Sequence, residues 1–233
     1  MIGLVWFKGK GMELETRQIG GGQFLCLRLG TERLWARRRL KLGAGALRRA
    51  GVRRAVFPAD FAHGEIFAAE GIWPVETMAL QRAAAEPYIR RRLEGADPRR
   101  TTVAVVVHRA EGEQRELVKT LAARYRYVLL EAEEGGEALA AELRRETGAA
   151  LEVNPGLRRL ERADALVCFV PRAVSGGNRV YVQLYRGGRG IPLGLPPETA
   201  GRFPEGTDPA AAAAALWQMG AGEAAAFIDQ IRC

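Results

Sequence analysis

The chain is poor in the residues that carry most catalytic and metal chemistry. Among its 233 residues there are three cysteines and two histidines. Cys26, Cys168 and Cys233 lie far apart, with no C-x-x-C, and their odd number argues against a disulfide framework. This usage fits a reducing cytoplasm. His63 and His108 are too few and too isolated for metal-ligand spacing, and there is no H-E-x-x-H, so no metal site is expected. A G-x-S-x-G elbow and a Walker A loop are both absent. Aromatics make up only 7%, which disfavours a base-stacking or carbohydrate platform. No apolar run approaches the roughly 18 residues of a membrane helix. The opening MIGLVWFKGK is too short for a signal h-region and precedes its charges, so the expectation is a soluble cytoplasmic protein with no membrane partner.

Lysine is also scarce. Of 35 basic residues only Lys8, Lys10, Lys41 and Lys119 are lysines, and the net charge is +8. Such a charge suits an anionic partner, nucleic acid included. It is also what a GC-rich genome writes in a chain rich in Arg, Ala and Gly. The arginines come as scattered pairs (Arg53-Arg54, Arg99-Arg100, Arg144-Arg145, Arg158-Arg159), without interleaved aromatics. That dispersal speaks against nucleic acid and leaves a protein or a small anion as the expected partner.

Residues 1–38 read as an antiparallel β meander: Ile2–Phe7, Glu13–Ile19 and Phe24–Leu29, punctuated by glycine turns, with a fourth strand through Arg33–Arg38. Residues 39–186 alternate strand and helix. A short helix at Leu47–Ala50 precedes strand Arg53–Phe57. Asp60 is placed to cap a helix over Phe61–Glu70. Ile72–Val75 is a strand, and Pro87 must break a helix over Thr77–Glu94. Strands at Val103–Val107, Tyr127–Glu131, Leu151–Val153 and Ala165–Val170 follow. The helices between them predict right-handed crossovers and a parallel sheet. Arg179–Tyr185, after the Ser175–Asn178 turn, is expected antiparallel at an edge. Residues 187–207 form a Gly/Pro-rich loop, a lid or a linker. Residues 208–233 read as two packed helices, the first capped by Asp208-Pro209. The fold class is therefore α/β: a Rossmann-like, mostly parallel sheet with an N-terminal meander and a C-terminal helical pair.

From Thr101 to Val170 the pieces TTVAVVV, ELVKTLAARY, YVLLEA and ERADALVCFV occur in order. In this stretch the chain resembles the NAD(P)-binding domain of the shikimate dehydrogenase and glutamyl-tRNA reductase group. The resemblance implies NAD or NADP on the C-terminal ends of the strands, with Arg109 and Gly112 toward phosphate, Glu131 toward ribose and Asn154 beside them. Yet the turn after TTVAVVV reads His108-Arg109-Ala110-Glu111-Gly112-Glu113. It lacks the glycines that let a backbone approach a pyrophosphate, and it carries two carboxylates that repel one. Gly43-Ala44-Gly45 begins a second G-x-G but reads as a helix-entry turn. If the strands before them are neighbours, Asp60, His63, His108 and Asn154 line one crevice, and an Asp–His pair there would serve as general base. The reading carried forward is a binding, regulatory or scaffolding protein with a degenerate dinucleotide fold, rather than an enzyme. An NAD(P)-dependent oxidoreductase with a divergent loop and an arginine-surface nucleic-acid binder are the alternatives.

Overall fold

The computed structural model describes residues 1–31, 36–174 and 177–229. It forms two compact units, Met1–Leu80 with the segment from Pro192 onward, and Gln81–Ile191. Each is built on a five-stranded sheet. Cys233, Ser175 and residues 33–35 of the expected fourth strand fall outside the described residues.

In the first unit β1 (Ile2–Phe7) is an almost wholly buried run. A short strand apolar on both faces belongs in the middle of a covered sheet, and β1 is the central strand of the order β2-β3-β1-β4-β5. β2 (Met12–Ile19) and β3 (Gly22–Leu29) form the expected antiparallel hairpin, closed by Gly20 and Gly21 at φ +57° and +86°. Both central residues of such a turn need positive φ. The rest of the expected meander is corrected, because β1 pairs with β3 in parallel, Ile2 opposite Phe24.

The segment expected to continue as a strand is helical from Ala36: α1 spans Ala36–Arg49. Leu40, Gly43, Ala44 and Leu47 form its buried stripe, at the i, i+3, i+4, i+7 spacing of one helix face. Gly43 is thus mid-helix, not in an entry turn. A Cβ there would stand 2.8 Å from Leu27 Cδ2, so glycine allows the helix its close approach to β3. β4 (Arg54–Val56), α2 (Gly64–Ala69), the short edge strand β5 (Trp73–Pro74) and α3 (Met78–Ala83) follow. Asp60 does not cap α2: its N-cap is His63, which makes no side-chain cap bond.

The second unit begins at Gln81, inside α3, and continues with α4 (Ala85–Arg92), which restarts after Ala84. Pro87 cannot bond the carbonyl of Ala83, and the expected break falls there. Then come β6 (Thr102–Arg109), α5 (Gly112–Arg124), β7 (Tyr127–Glu134), α6 (Gly136–Thr147), β8 (Leu151–Val153), α7 (Leu157–Glu161), β9 (Ala165–Cys168) and β10 (Val180–Gln183). Their order, β10-β9-β6-β7-β8, is parallel throughout. With β6 counted first this is 3-2-1-4-5, the first five strands of the Rossmann order. β10 takes the expected edge, but in parallel with β9, contrary to the antiparallel expectation. Asp164, in the segment ERADALVCFV, accepts the Thr102 N–H at 2.9 Å and ties the start of β6 to β9.

The chain then returns to the first unit through α8 (Pro197–Ala200) and α9 (Pro209–Gln218). Asp208 caps α9 as expected. In place of the second expected helix there is a single 3₁₀ turn, Ala224–Phe227. Its exit bridges back to the 187–207 loop, Ile228 opposite Leu193. No described helix is long and apolar enough to cross a membrane.

Candidate functional site

In open α/β sheets ligands gather where connections leaving two adjacent strands part to opposite sides. In the second unit that point lies between β6, whose connection runs to β7, and β9, whose connection runs to β10. A dinucleotide loop would leave the sheet here. Instead β6 stays paired with β7 through Arg109, opposite Glu134, three residues past the last β9 partner, Val106. The Ala110 N–H still bonds the Glu134 carbonyl at 3.0 Å. Only Ala110 and Glu111 separate β6 from α5. Glu111 is the N-cap residue, Gly112 follows at φ +53°, and Glu113 sits in the first turn.

Two side-chain contacts lace this overrunning ribbon. His108 Nδ1 is 2.9 Å from Glu133, and Arg109 Nε is 3.0 Å from Glu134. Both pairs are exposed, where such contacts contribute at most about 1 kcal/mol. The α5 terminus has its own partner. Glu113 pairs with Arg82, whose guanidinium lies 5.6 Å from the centroid of the Phe169 ring just past β9. Between α5 and α6 a further pair of cations converges on one acid. Glu142 accepts hydrogen bonds from Arg115 and Lys119, and these hold its carboxyl at about 2.

The expected site residues are divided between the two sheets. Asp60 and His63 follow β4 in one sheet, while His108 ends β6 in the other, so the strands are not neighbours. His63 lies 3.9 Å from Glu65 and edge-on to Phe61, with ring centroids 6.1 Å apart. Within the second unit, β7 separates His108 from Asn154. Asn154 takes a positive φ of 51°, and its side-chain carbonyl accepts the Ala132 N–H at 3.0 Å, a bond that finishes the β7–β8 edge. Glu131 is not at the strand end but three residues short of it, paired with Arg172 at 3.0 Å. Both described cysteines are buried, and burial pushes each thiol up to about 11, far from a reactive thiolate. The arginine pairs lie on separate elements, and several are spent locally, Arg54 on Glu76 and Arg159 on Glu152.

The first unit has a switch point as well, between β1, whose connection leads to the β2–β3 side, and β4, whose connection leads to β5. A cavity of about 690 Å³ opens there. Lys8 lines it from the end of β1, Asp60 from past β4, and Arg202 and Glu205 from the loop before α9. That loop is a pinned wall: Ala59 N–H bonds Gly206 O at 2.9 Å, Asp208 N–H bonds Phe57 O at 3.1 Å, and Thr207 bridges Pro58. Of the cavity's charged residues, only Asp60 was singled out by sequence reasoning. The others carry no motif, and four separate stretches of chain bring them together.

No family model and no curated protein matches the chain. Solved structures with some likeness include L-tryptophan dehydrogenase from Nostoc punctiforme, at 12% identity and a TM-score of 0.33 over 71% of this chain and 51% of that one. Another is the A chain of dipicolinate synthase from Bacillus subtilis, at 17% identity and 0.32 over 51% and 42%. A third is a lysine cyclodeaminase, at 17% and 0.27 over 49% and 34%. The chain thus spans about half or less of the length of these three proteins. The Rossmann-like character rests on the strand order itself.

Proposed function

We propose that the chain is a binding protein whose Rossmann-like unit does not hold a dinucleotide. The observation that carries this reading is the β6–α5 turn. Its two carboxylates stand where a pyrophosphate would meet the positive end of α5, and Glu113 already answers that helix dipole. The continued β6–β7 pairing supports it, since a backbone held in the sheet through Arg109 does not swing out to wrap phosphate. So does the pairing of Arg109 with Glu134 and of Glu131 with Arg172, which takes up the two side chains that the resemblance assigns to phosphate and ribose. NAD and NADP therefore fit these residues poorly, and no step is derived through them. The role that remains is regulatory or scaffolding, through a protein or a small anionic ligand.

The test is thermal unfolding with and without millimolar NAD(H) and NADP(H). A ligand at 100 times its dissociation constant adds about 2.7 kcal/mol. For a chain of this size that raises the midpoint by roughly 5–10 °C. The expected result is no shift with any of the four. A shift of that order overturns the reading in favour of an oxidoreductase with a divergent loop.

A further inference from the structure

The cavity of the first unit has an arrangement of charge that selects its occupant. Four cations and two acids line it. Two of the cations are already satisfied. Arg28 forks onto Glu13 and donates to the Lys8 carbonyl at 2.9 Å, bracing the end of β1. Arg17 pairs with Glu15 and lies 5.4 Å from the centroid of the Trp6 ring. That leaves Lys8, Arg202, Asp60 and Glu205. All four are exposed, and none makes an ion pair among the described residues. Opposite charges therefore face one cavity without closing on each other. The rest of the lining is Trp6, Phe7 and Phe203 with Pro58, Pro204 and Gly206; Trp6 and Phe203 are buried, and Phe203 packs edge-on against Phe24 at 5.5 Å.

This pattern excludes most ligand classes. A polyanion would gain Lys8 and Arg202 but be repelled by Asp60 and Glu205. A simple cation has the converse problem. A neutral apolar molecule would strip water from four charges and return nothing. An occupant that bears both a carboxylate and an ammonium, with an apolar body for the aromatic lining, satisfies every group. The volume, about 690 Å³, lies within the roughly 300–1,000 Å³ of small-molecule pockets. We propose that this cavity binds a small zwitterion of the α-amino-acid class. Lys8 and Arg202 take its carboxylate, Asp60 and Glu205 its ammonium, and Trp6 and Phe203 its side chain. The proposal concerns the first unit and stands apart from the reading of the second.

The experiment is calorimetric titration of the full chain with the common L-α-amino acids, one at a time. The best binder is followed by its deaminated acid and its decarboxylated amine. At least one amino acid should bind, and each truncated analogue should bind about tenfold or more weakly, because each forfeits one set of charge-assisted contacts. Arg202→Ala and Asp60→Asn should each weaken the parent ligand about tenfold with unchanged thermal midpoints, since neither side chain is buried or paired. Absence of binding by every amino acid overturns the proposal. So does a deaminated acid that binds as well as its parent, the mark of a plain anion site. Affinity unchanged in both variants overturns it too, by placing the ligand elsewhere.

Discussion

Replacing Asp208 by alanine should destabilise the first unit by about 1–2 kcal/mol, and the structure apportions that cost. Asp208 Oδ1 accepts from the Ala210 N–H at 2.9 Å and the Ala211 N–H at 3.1 Å, donors at the start of α9 that have no partner within the helix, where Pro209 brings no N–H of its own. Losing such a cap costs about 1 kcal/mol and up to about 2. The carboxylate's charge at the positive end of the helix adds about 0.3–1 kcal/mol within that range. Asp208→Asn keeps an oxygen acceptor and loses only the charge, so it should cost no more than about 1 kcal/mol. Thermal midpoints move roughly 2–4 °C per kcal/mol at this size, which puts the alanine variant about 2–8 °C below the parent. Urea unfolding followed by circular dichroism supplies the free energies, provided the slope stays constant across the three proteins. An alanine variant within about 0.5 kcal/mol of the parent would show that the cap carries nothing. An asparagine variant as damaged as the alanine one would show that charge, and not the acceptor, holds the helix. Either result sinks the argument. The outcome also bears on the cavity, because the Asp208 N–H and Thr207 anchor its 202–206 wall to the end of β4.

Two glycines of α1 should respond with opposite signs. Gly43→Ala puts a methyl 2.8 Å from Leu27 Cδ2 and 3.2 Å from Leu29 Cδ2, both on buried side chains, and should cost about 1–3 kcal/mol. Gly45→Ala meets nothing nearer than an Arg49 guanidinium nitrogen at 3.8 Å and should gain about 0.5–1 kcal/mol from helix propensity. Chemical denaturation reads both. Glu142 sets an acid limb. Its carboxyl is held below the usual 4.5, at about 2, by hydrogen bonds from Arg115 and then Lys119. A depressed carboxylate contributes stability above its unfolded value and loses it as pH falls through the folded one. Thermal midpoints should therefore decline between about 4.5 and 2 in the parent and decline less in Glu142→Gln; superimposed acid limbs would refute the assignment.

The second unit was the more legible of the two because its signals are local. The strand expected at Leu151–Val153 appears with those bounds, and helices fill the connections where the alternation puts them. A covered parallel sheet then follows from the alternation alone. The first unit resisted because its decisive facts are matters of partnership. Hydropathy marks β1, β2 and β3 as strands, and the paired glycines at 20 and 21 join the last two, but nothing local states that β1 lies beside β3 in parallel. The continuous apolar run IGLVWF was the available clue, since a hairpin strand with one wet face alternates and a central parallel strand does not.

Of helix α1 only the end shows in the sequence, as the short helix expected at Leu47–Ala50. Gly43 and Gly45 lower its intrinsic helicity, and the charged run Arg37–Arg39 masks the start of its buried stripe. Burial of Leu40, Ala44 and Leu47 against β3 outweighs those penalties, as tertiary packing does in most helices. The cavity was illegible in principle. A phosphate loop can be sought because one short stretch must supply the turn, the amides and the helix. Lys8, Asp60, Arg202 and Glu205 share no stretch, and each alone is an ordinary solvated charge. They acquire meaning only when strand order brings the ends of β1 and β4 together and Gly206, Thr207 and Asp208 fasten the loop across them. Topology, not residue pattern, is therefore what selects the place to look. In this chain it points to the switch point left open between β1 and β4.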